Sequence, residues 1–252
     1  MTPAEGDEPE TIVVTRADDR VFVQLNRPQV RNAINQQMVD ELHLLCAELE
    51  ASPRILIMTG SDGVFASGAD IAELRERTSA DAIKGINTTL FLRIAELPMP
   101  VIAAVDGHAL GAGAELAYAA DFRIGTPRTT FGNPETGLGI VAAAGALWRL
   151  PQLVGEPLAK EVLLAGRILS AEEALAARLL TRVVEPGELL NAAHELAHRI
   201  AATSAAASIQ TKALLRADRS RHPQADLDAQ AVLFDSDDKR ARMTAFLERK
   251  KR

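Results

Sequence analysis

The sequence predicts an α/β protein: a core in which strands and helices alternate, followed by a C-terminal extension made of helices alone. Three observations carry that reading. Short continuous apolar runs ending in glycine occur at "ILIMTG" (55–60) and "VIAAVDG" (101–107), as expected of strands covered on both faces of a parallel sheet. Each leads through small residues into a helical pattern, "FASGADIAELRER" and "LGAGAELAYAAD", so one strand-turn-helix device occurs in two copies. From about Leu147 onward, apolar residues recur mainly at three- and four-residue steps. No Gly/Pro/Ser-rich linker interrupts the chain, and the division expected is a disordered tail over 1–10, an α/β core over 11–203 and a helical segment over 204–252.

The elements follow in order. "TIVVTR" and "RVFVQLN" alternate apolar and polar residues and are separated only by Ala17 and two aspartates, which predicts an antiparallel pair. Met38, Leu42, Leu45, Cys46 and Leu49 then recur at helical spacing, with Asn35 as the cap and Ser52-Pro53 as the stop. After the two strand-turn-helix units come two short strand candidates, "FRIGT" and "TTFG", and then Asn133-Pro134-Glu135. "EPLAKEVLLAG", "SAEEALAARLL", "GELLNAAHELAHRIAA", "AASIQTKALLRA" and "ADLDAQAVLFDS" are helical, with "RVVEP" a strand between the second and third. Leu227, Ala231, Val232 and Phe234 give the extension an apolar face, which predicts packing on the core or on another subunit.

Composition narrows the function. A net charge of −6, with 28 basic residues among 34 acidic ones, excludes the basic face of a dedicated nucleic-acid binder. Cys46 is the sole cysteine, so neither an intrachain disulfide nor a cysteine metal site is available, and a reducing compartment fits. The acidic start "MTPAEGDEPE" is unlike a signal or transit peptide, and no apolar run reaches the ~18 residues of a membrane span. The expected setting is the cytoplasm, away from membranes.

Familiar catalytic motifs fail. Gly111-x-Gly113 is followed by Leu116 where a dinucleotide fingerprint needs glycine, and Ser67 lacks the glycine two residues earlier that a nucleophile elbow requires. No P-loop occurs, and none of the five histidines forms a close ligand pair, so no metal is expected. Backbone chemistry survives. Helix N-termini at "SGAD" and "LGAGAE" would present the amides of Ala69 and Ala112, and two converging amides stabilise an oxyanion. Spacing alone equally permits, and favours, close helix-sheet packing as the reason for small residues. Glu115 and Glu135 are the acid candidates, although each also stands where a carboxylate commonly caps its own helix start.

Taken together, "LNRPQVRNAIN" (25–35), "FASGADIAEL" (65–74), "MPVIAAVDGHALGAGAELAYAADFRI" (99–124), "TTFGNPETGLGI" (129–140) and "AFLERKK" (245–251) resemble the enoyl-CoA hydratase/isomerase, or crotonase, superfamily, from about Ile12 to Arg249. The resemblance implies a crotonase-like spiral of ββα units with a C-terminal helical trimerisation segment, a homotrimer or homohexamer, an acyl-CoA thioester substrate, and no cofactor beyond the coenzyme A carried by that substrate. It assigns the oxyanion hole to Ala69 and Ala112, and the acid/base pair to Glu115 and Glu135, with Glu135 the usual proton donor. It implies substrate contacts at Ala33, Gly68, Asp70, Ile71, Gly111 and Ala143, with Arg27, Arg31 and the closing "RKKR" as candidates for the CoA phosphates. Retention of both glutamates favours hydration of a trans-2-enoyl-CoA to the 3-hydroxyacyl-CoA. A 3-enoyl to 2-enoyl isomerase or another crotonase-type lyase is the first alternative, and a non-catalytic CoA-thioester binder the second.

Three departures from the pattern of many relatives stand out. Ala112 replaces a glycine of the turn, Ala72 replaces a lysine after "ADI", and Ile140-Val141-Ala142-Ala143-Ala144-Gly145 replaces a Pro-Gly-rich stretch. The last bears on the acyl pocket and the water, where added methyl groups take up room.

Overall fold

The structure, a computed structural model, describes residues 9–249; most of the tail expected over 1–10, and Lys250, Lys251 and Arg252 of the basic run, lie outside the described residues. The strands are β1 (Ile12–Arg16), β2 (Arg20–Leu25), β3 (Ile55–Thr59), β4 (Val101–Val105), β5 (His108–Leu110), β6 (Phe122–Gly125), β7 (Thr130–Gly132), β8 (Leu169–Ser170) and β9 (Arg182–Val183). The helices of the first half are α1 (Gln36–Ala51), α2 (Ile71–Glu76), α3 (Ser79–Lys84), α4 (Ile86–Glu96) and α5 (Ala112–Ala119). Those of the second are α6 (Ala146–Val154), α7 (Glu156–Ala165), α8 (Ala171–Ala176), α9 (Leu189–Ala201), α10 (Ala205–Leu215), α11 (Gln224–Phe234) and α12 (Asp237–Arg249).

The larger sheet runs β1-β2-β3-β4-β6-β9 and the smaller β5-β7-β8. β1 and β2 pair antiparallel, with Ile12 opposite Leu25; every later neighbour in the large sheet is parallel. The continuous apolar runs of β3 and β4 have a direct cause. Leu56, Met58, Val101, Ala103 and Val105 join one core with residues of α1, α4 and α5, while Ile55, Ile57, Ile102 and Ala104 pack on α9 across the other face. Asn35 caps α1 as expected, accepting from the Met38 amide at 3.1 Å.

The strand-turn-helix device repeats more often than its two obvious copies. After each of β2, β3, β4 and β6 the chain leaves the large sheet and adds a short piece to a second layer. These pieces are Ile34, the Ala66–Ala69 stretch, β5 and β7, joined by parallel bridges Ile34 to Ala69 and Ala66 to Ala109 and by the β5–β7 pairing. That is a spiral of ββα units, built before the helices of the second half are laid against it.

The extension attaches through charge. Lys212 on α10 is buried, pairs with Asp121 at 2.7 Å and donates to the Met99 carbonyl at 3.0 Å. Arg242 on α12 donates to the carbonyls of Ala202 and Thr203 at 3.0 Å each. Helices α11 and α12 bury none of their described residues, and Leu227, Val232, Met243 and Leu247 stand exposed. Among the described residues no helix is long and apolar enough to cross a membrane.

Candidate active site

The second layer brings the two turns together. Ala66 N donates to the His108 carbonyl and Leu110 N to the Ala66 carbonyl, both at 3.0 Å, so "ASGAD" runs beside "HALGAG". Gly113 makes the contact close: a Cβ there would fall 2.2 Å from the Ala66 carbonyl oxygen. Close packing is therefore the reason for one glycine of the turn, but not for the whole of it. Gly111 has φ +51°, a conformation that glycine adopts readily, and a Cβ on it would stand 3.2 Å from Glu135 Oε1 and 3.7 Å from Gly68 Cα.

Backbone pairing leaves two amides unused. Ile34 N donates to the Gly68 carbonyl and Asp70 N to the Ile34 carbonyl, at 2.8 and 2.9 Å, so the intervening Ala69 N–H points away from that pairing. Ala112 opens α5, where the first N–H groups have no intrahelical acceptor. Neither amide finds an acceptor among the described residues. The methyl of Ala112 costs no left-handed strain, because the positive φ falls on Gly111 instead.

Ala69, Ala112, Glu115 and Glu135 all line one cavity of about 560 Å³, together with Gly68, Ile71, Gly111 and Ala143. Its opposite wall comes from α2 to α4, through residues such as Leu74, Arg77, Asn87 and Thr88. α2 falls in the helical pattern of "FASGADIAELRER", whereas α3 and α4 have no counterpart among the elements expected from the sequence, although Thr78 and Asp81 form a capping box at the start of α3. The remaining candidates stand elsewhere. Arg27 donates to the Asp70 carboxylate at 3.0 Å and to the Ala33 carbonyl at 2.6 Å, Asp70 in turn caps α2 through the Ala72 amide, and Arg31 is exposed with φ +54°. Arg27, Arg31, Ala33 and Asp70 are absent from the cavity lining.

Glu115 does not cap its own helix. Gly111 receives no side-chain bond there, and the carboxylate reaches the altered alanine stretch: the amides of Ala144 and Ala146 donate to Oε1 at 2.7 and 3.1 Å. Ala146 is the first residue of α6, so Glu115 sits at that helix's positive end. The methyls of Ala142 and Ala144 turn into the core, while Ala143 is exposed to the cavity. Burial pushes the Glu115 carboxyl up to about 7, against the opposing pull of the amides and with a further push from Glu135.

Glu135 lies in a single 3-10 turn, Pro134–Leu138, and is buried. Its Oε1 receives only a 3.4 Å bond from Asn133 Nδ2, and its Oε2 is buried without a partner among the described residues. Burial pushes the Glu135 carboxyl up from its ordinary value as well, with the Asn133 bond opposing. Asn133 in turn donates to the Gly111 carbonyl at 3.4 Å and accepts from the Tyr118 hydroxyl at 3.2 Å. From sequence Asn133 suggests only a cap before Pro134, and no motif marks Tyr118. The arrangement can therefore hold an oxyanion on two amides between two buried carboxyls of unequal environment.

A family model described as enoyl-CoA hydratase/isomerase matches residues 19–252. A short-chain-enoyl-CoA hydratase of Clostridium acetobutylicum is 35% identical over 97% of each chain. A crotonyl-CoA hydratase of Syntrophomonas wolfei is 36% identical over 96% of each chain. Among solved structures, an enoyl-CoA hydratase from Bacillus anthracis superposes with a TM-score of 0.90 at 31% identity, covering 95% of this chain and 97% of that one.

Proposed function

This chain belongs to the enoyl-CoA hydratase/isomerase family, and on that premise we propose that it adds water across the double bond of a trans-2-enoyl-CoA to give the 3-hydroxyacyl-CoA. The observation that carries the reading is one cavity lined by two unused amides and two buried glutamates from separate elements. Addition at the β carbon moves negative charge onto the thioester oxygen. The amides of Ala69 and Ala112 oppose a barrier that arises only as that charge develops, each donor contributing on the order of 10²–10³ in rate.

The environments divide the proton work. Two amides on one oxygen favour the ionised form of Glu115, which takes a proton from the attacking water as its oxygen bonds the β carbon. Glu135, desolvated and weakly bonded, works in its protonated form and gives its proton to the α carbon. Release of one proton by Glu115 and uptake of one by Glu135 from solvent restores the starting state. Coenzyme A enters as part of the substrate, and the chemistry asks no other cofactor of these residues. The exposed apolar residues of α11 and α12 suit burial against further copies of the chain, in a trimer or hexamer.

Loss of the conjugated-thioester absorbance of crotonyl-CoA on adding enzyme tests the reading, and E115Q and E135Q should each slow it by at least about 100-fold. Unchanged absorbance with C4 to C8 enoyl-CoAs would refute it. A shifted double bond without added water from a 3-enoyl-CoA would assign isomerisation instead.

A further inference from the structure

Hydration as proposed above uses two amides and two carboxyls, yet one buried side chain touches both sides of that machinery. Asn133, the residue after β7, is 1% exposed, and both ends of its carboxamide are engaged: Oδ1 accepts from Tyr118, and Nδ2 donates to the Gly111 carbonyl and to Glu135 Oε1. The Gly111 carbonyl can only accept, so the NH₂ end of the amide must face it. That same NH₂ then meets Oε1 of Glu135, which is held as an acceptor. The carboxyl proton is left to Oε2, the oxygen with no partner among the described residues.

The other bond acts on the oxyanion side. Gly111 C=O and Ala112 N–H belong to one planar trans peptide and point in opposite directions. A donor gripping the carbonyl therefore sets the direction of the amide and polarises it. The Glu115 amide holds the same carbonyl at 3.0 Å, leaving Asn133 as the grip from outside the helix.

We propose that Asn133, braced by Tyr118, is a positioning residue for both halves of the reaction, anchoring the peptide that presents the Ala112 amide and keeping the transferable proton of Glu135 on Oε2. The proposal rests on the hydration reading, and its test separates the two. N133L, N133Q and Y118F are compared with the wild type on crotonyl-CoA for kcat, KM and the pH dependence of kcat/KM. Exchange of the α protons of butyryl-CoA with deuterated solvent supplies a readout that needs no added water.

N133L should lose roughly 10- to 100-fold in kcat with KM within about threefold, and N133Q, which keeps the carboxamide, should recover part of the loss. Removing the Nδ2 donor favours the protonated carboxyl, so the descending alkaline limb that belongs to Glu135 should move to higher pH. Y118F should lose less, about three- to tenfold. It carries the test if N133L does not fold. Wild-type kcat in both N133L and Y118F, or a fall in kcat with an unmoved limb, overturns the proposal. If the wild type leaves enoyl thioesters unconsumed, the hydration reading fails by itself; equal α-proton exchange by wild type and N133L would then overturn the role of Asn133.

Discussion

Glutamine at position 115 should make this protein more stable as it removes its turnover. Glu115 is 3% exposed, and burial is the largest cause that lifts its carboxyl from 4.5 to about 7. A folded state that holds a proton more tightly than the unfolded chain gains its full stabilisation below pH 4.5 and loses it as pH rises through 7. Above that window the wild type carries a buried carboxylate, at a cost of about 3 kcal/mol, which is the rise from 4.5 to about 7 expressed as free energy. Glutamine keeps an oxygen for the Ala144 and Ala146 amides and carries no charge. E115Q should therefore exceed the wild type in stability by up to about 3 kcal/mol at pH 8 and by under about 1 kcal/mol at pH 5. Thermal melts of both proteins from pH 5 to pH 8 read this as a gap that opens by roughly 2–4 °C per kcal/mol. Parallel melting curves across that range, or a less stable E115Q at pH 8, would refute the reasoning.

Three further outcomes follow from the same geometry. The ascending limb of kcat/KM should lie near pH 7, the value at which Glu115 ionises, and a limb below pH 5.5 would remove Glu115 as the base. G113A must push α5 away from the Ala66 carbonyl, because its Cβ has only 2.2 Å there; a loss of about 1–3 kcal/mol in urea denaturation together with a fall in kcat is expected. A143L adds bulk at an exposed point of the cavity wall, so kcat/KM should fall about tenfold more for C8 than for C4 enoyl-CoA in a chain-length series.

Much of the scaffold was readable because its signals are local. The alternation of 12–16 and 20–25, the Asn35 cap and the apolar runs of β3 and β4 each decide their own structure within a few residues. The strands of the second layer were harder: β5 and β8 have three and two residues, too few to show a period. At the site, Ala112 opens α5 as its small-residue turn suggests, whereas Ala69 precedes the Asp70 cap of α2 and its amide is left without an acceptor by the bridge to Ile34, a long-range pairing that local sequence does not show. The partners of Glu115 lie 29 and 31 residues away, which is why a cap on its own helix was the natural alternative. Asn133 presents the same case, for its sequence position suggests a helix cap, whereas its amide is spent on Gly111 and Glu135. Arg27 was legible as a basic residue, but not as one already committed to Asp70.

The segment that walls the cavity also solvates Glu115. Ala143 faces the cavity while its neighbours Ala144 and Ala146 give their amides to Glu115, so the two tasks share a few consecutive peptides. Remodelling that loop to widen the cavity would retune the basicity of Glu115 at the same stroke. Breadth of substrate and optimum pH should drift together in any laboratory evolution of this chain, and a selection for one would leave its mark on the other.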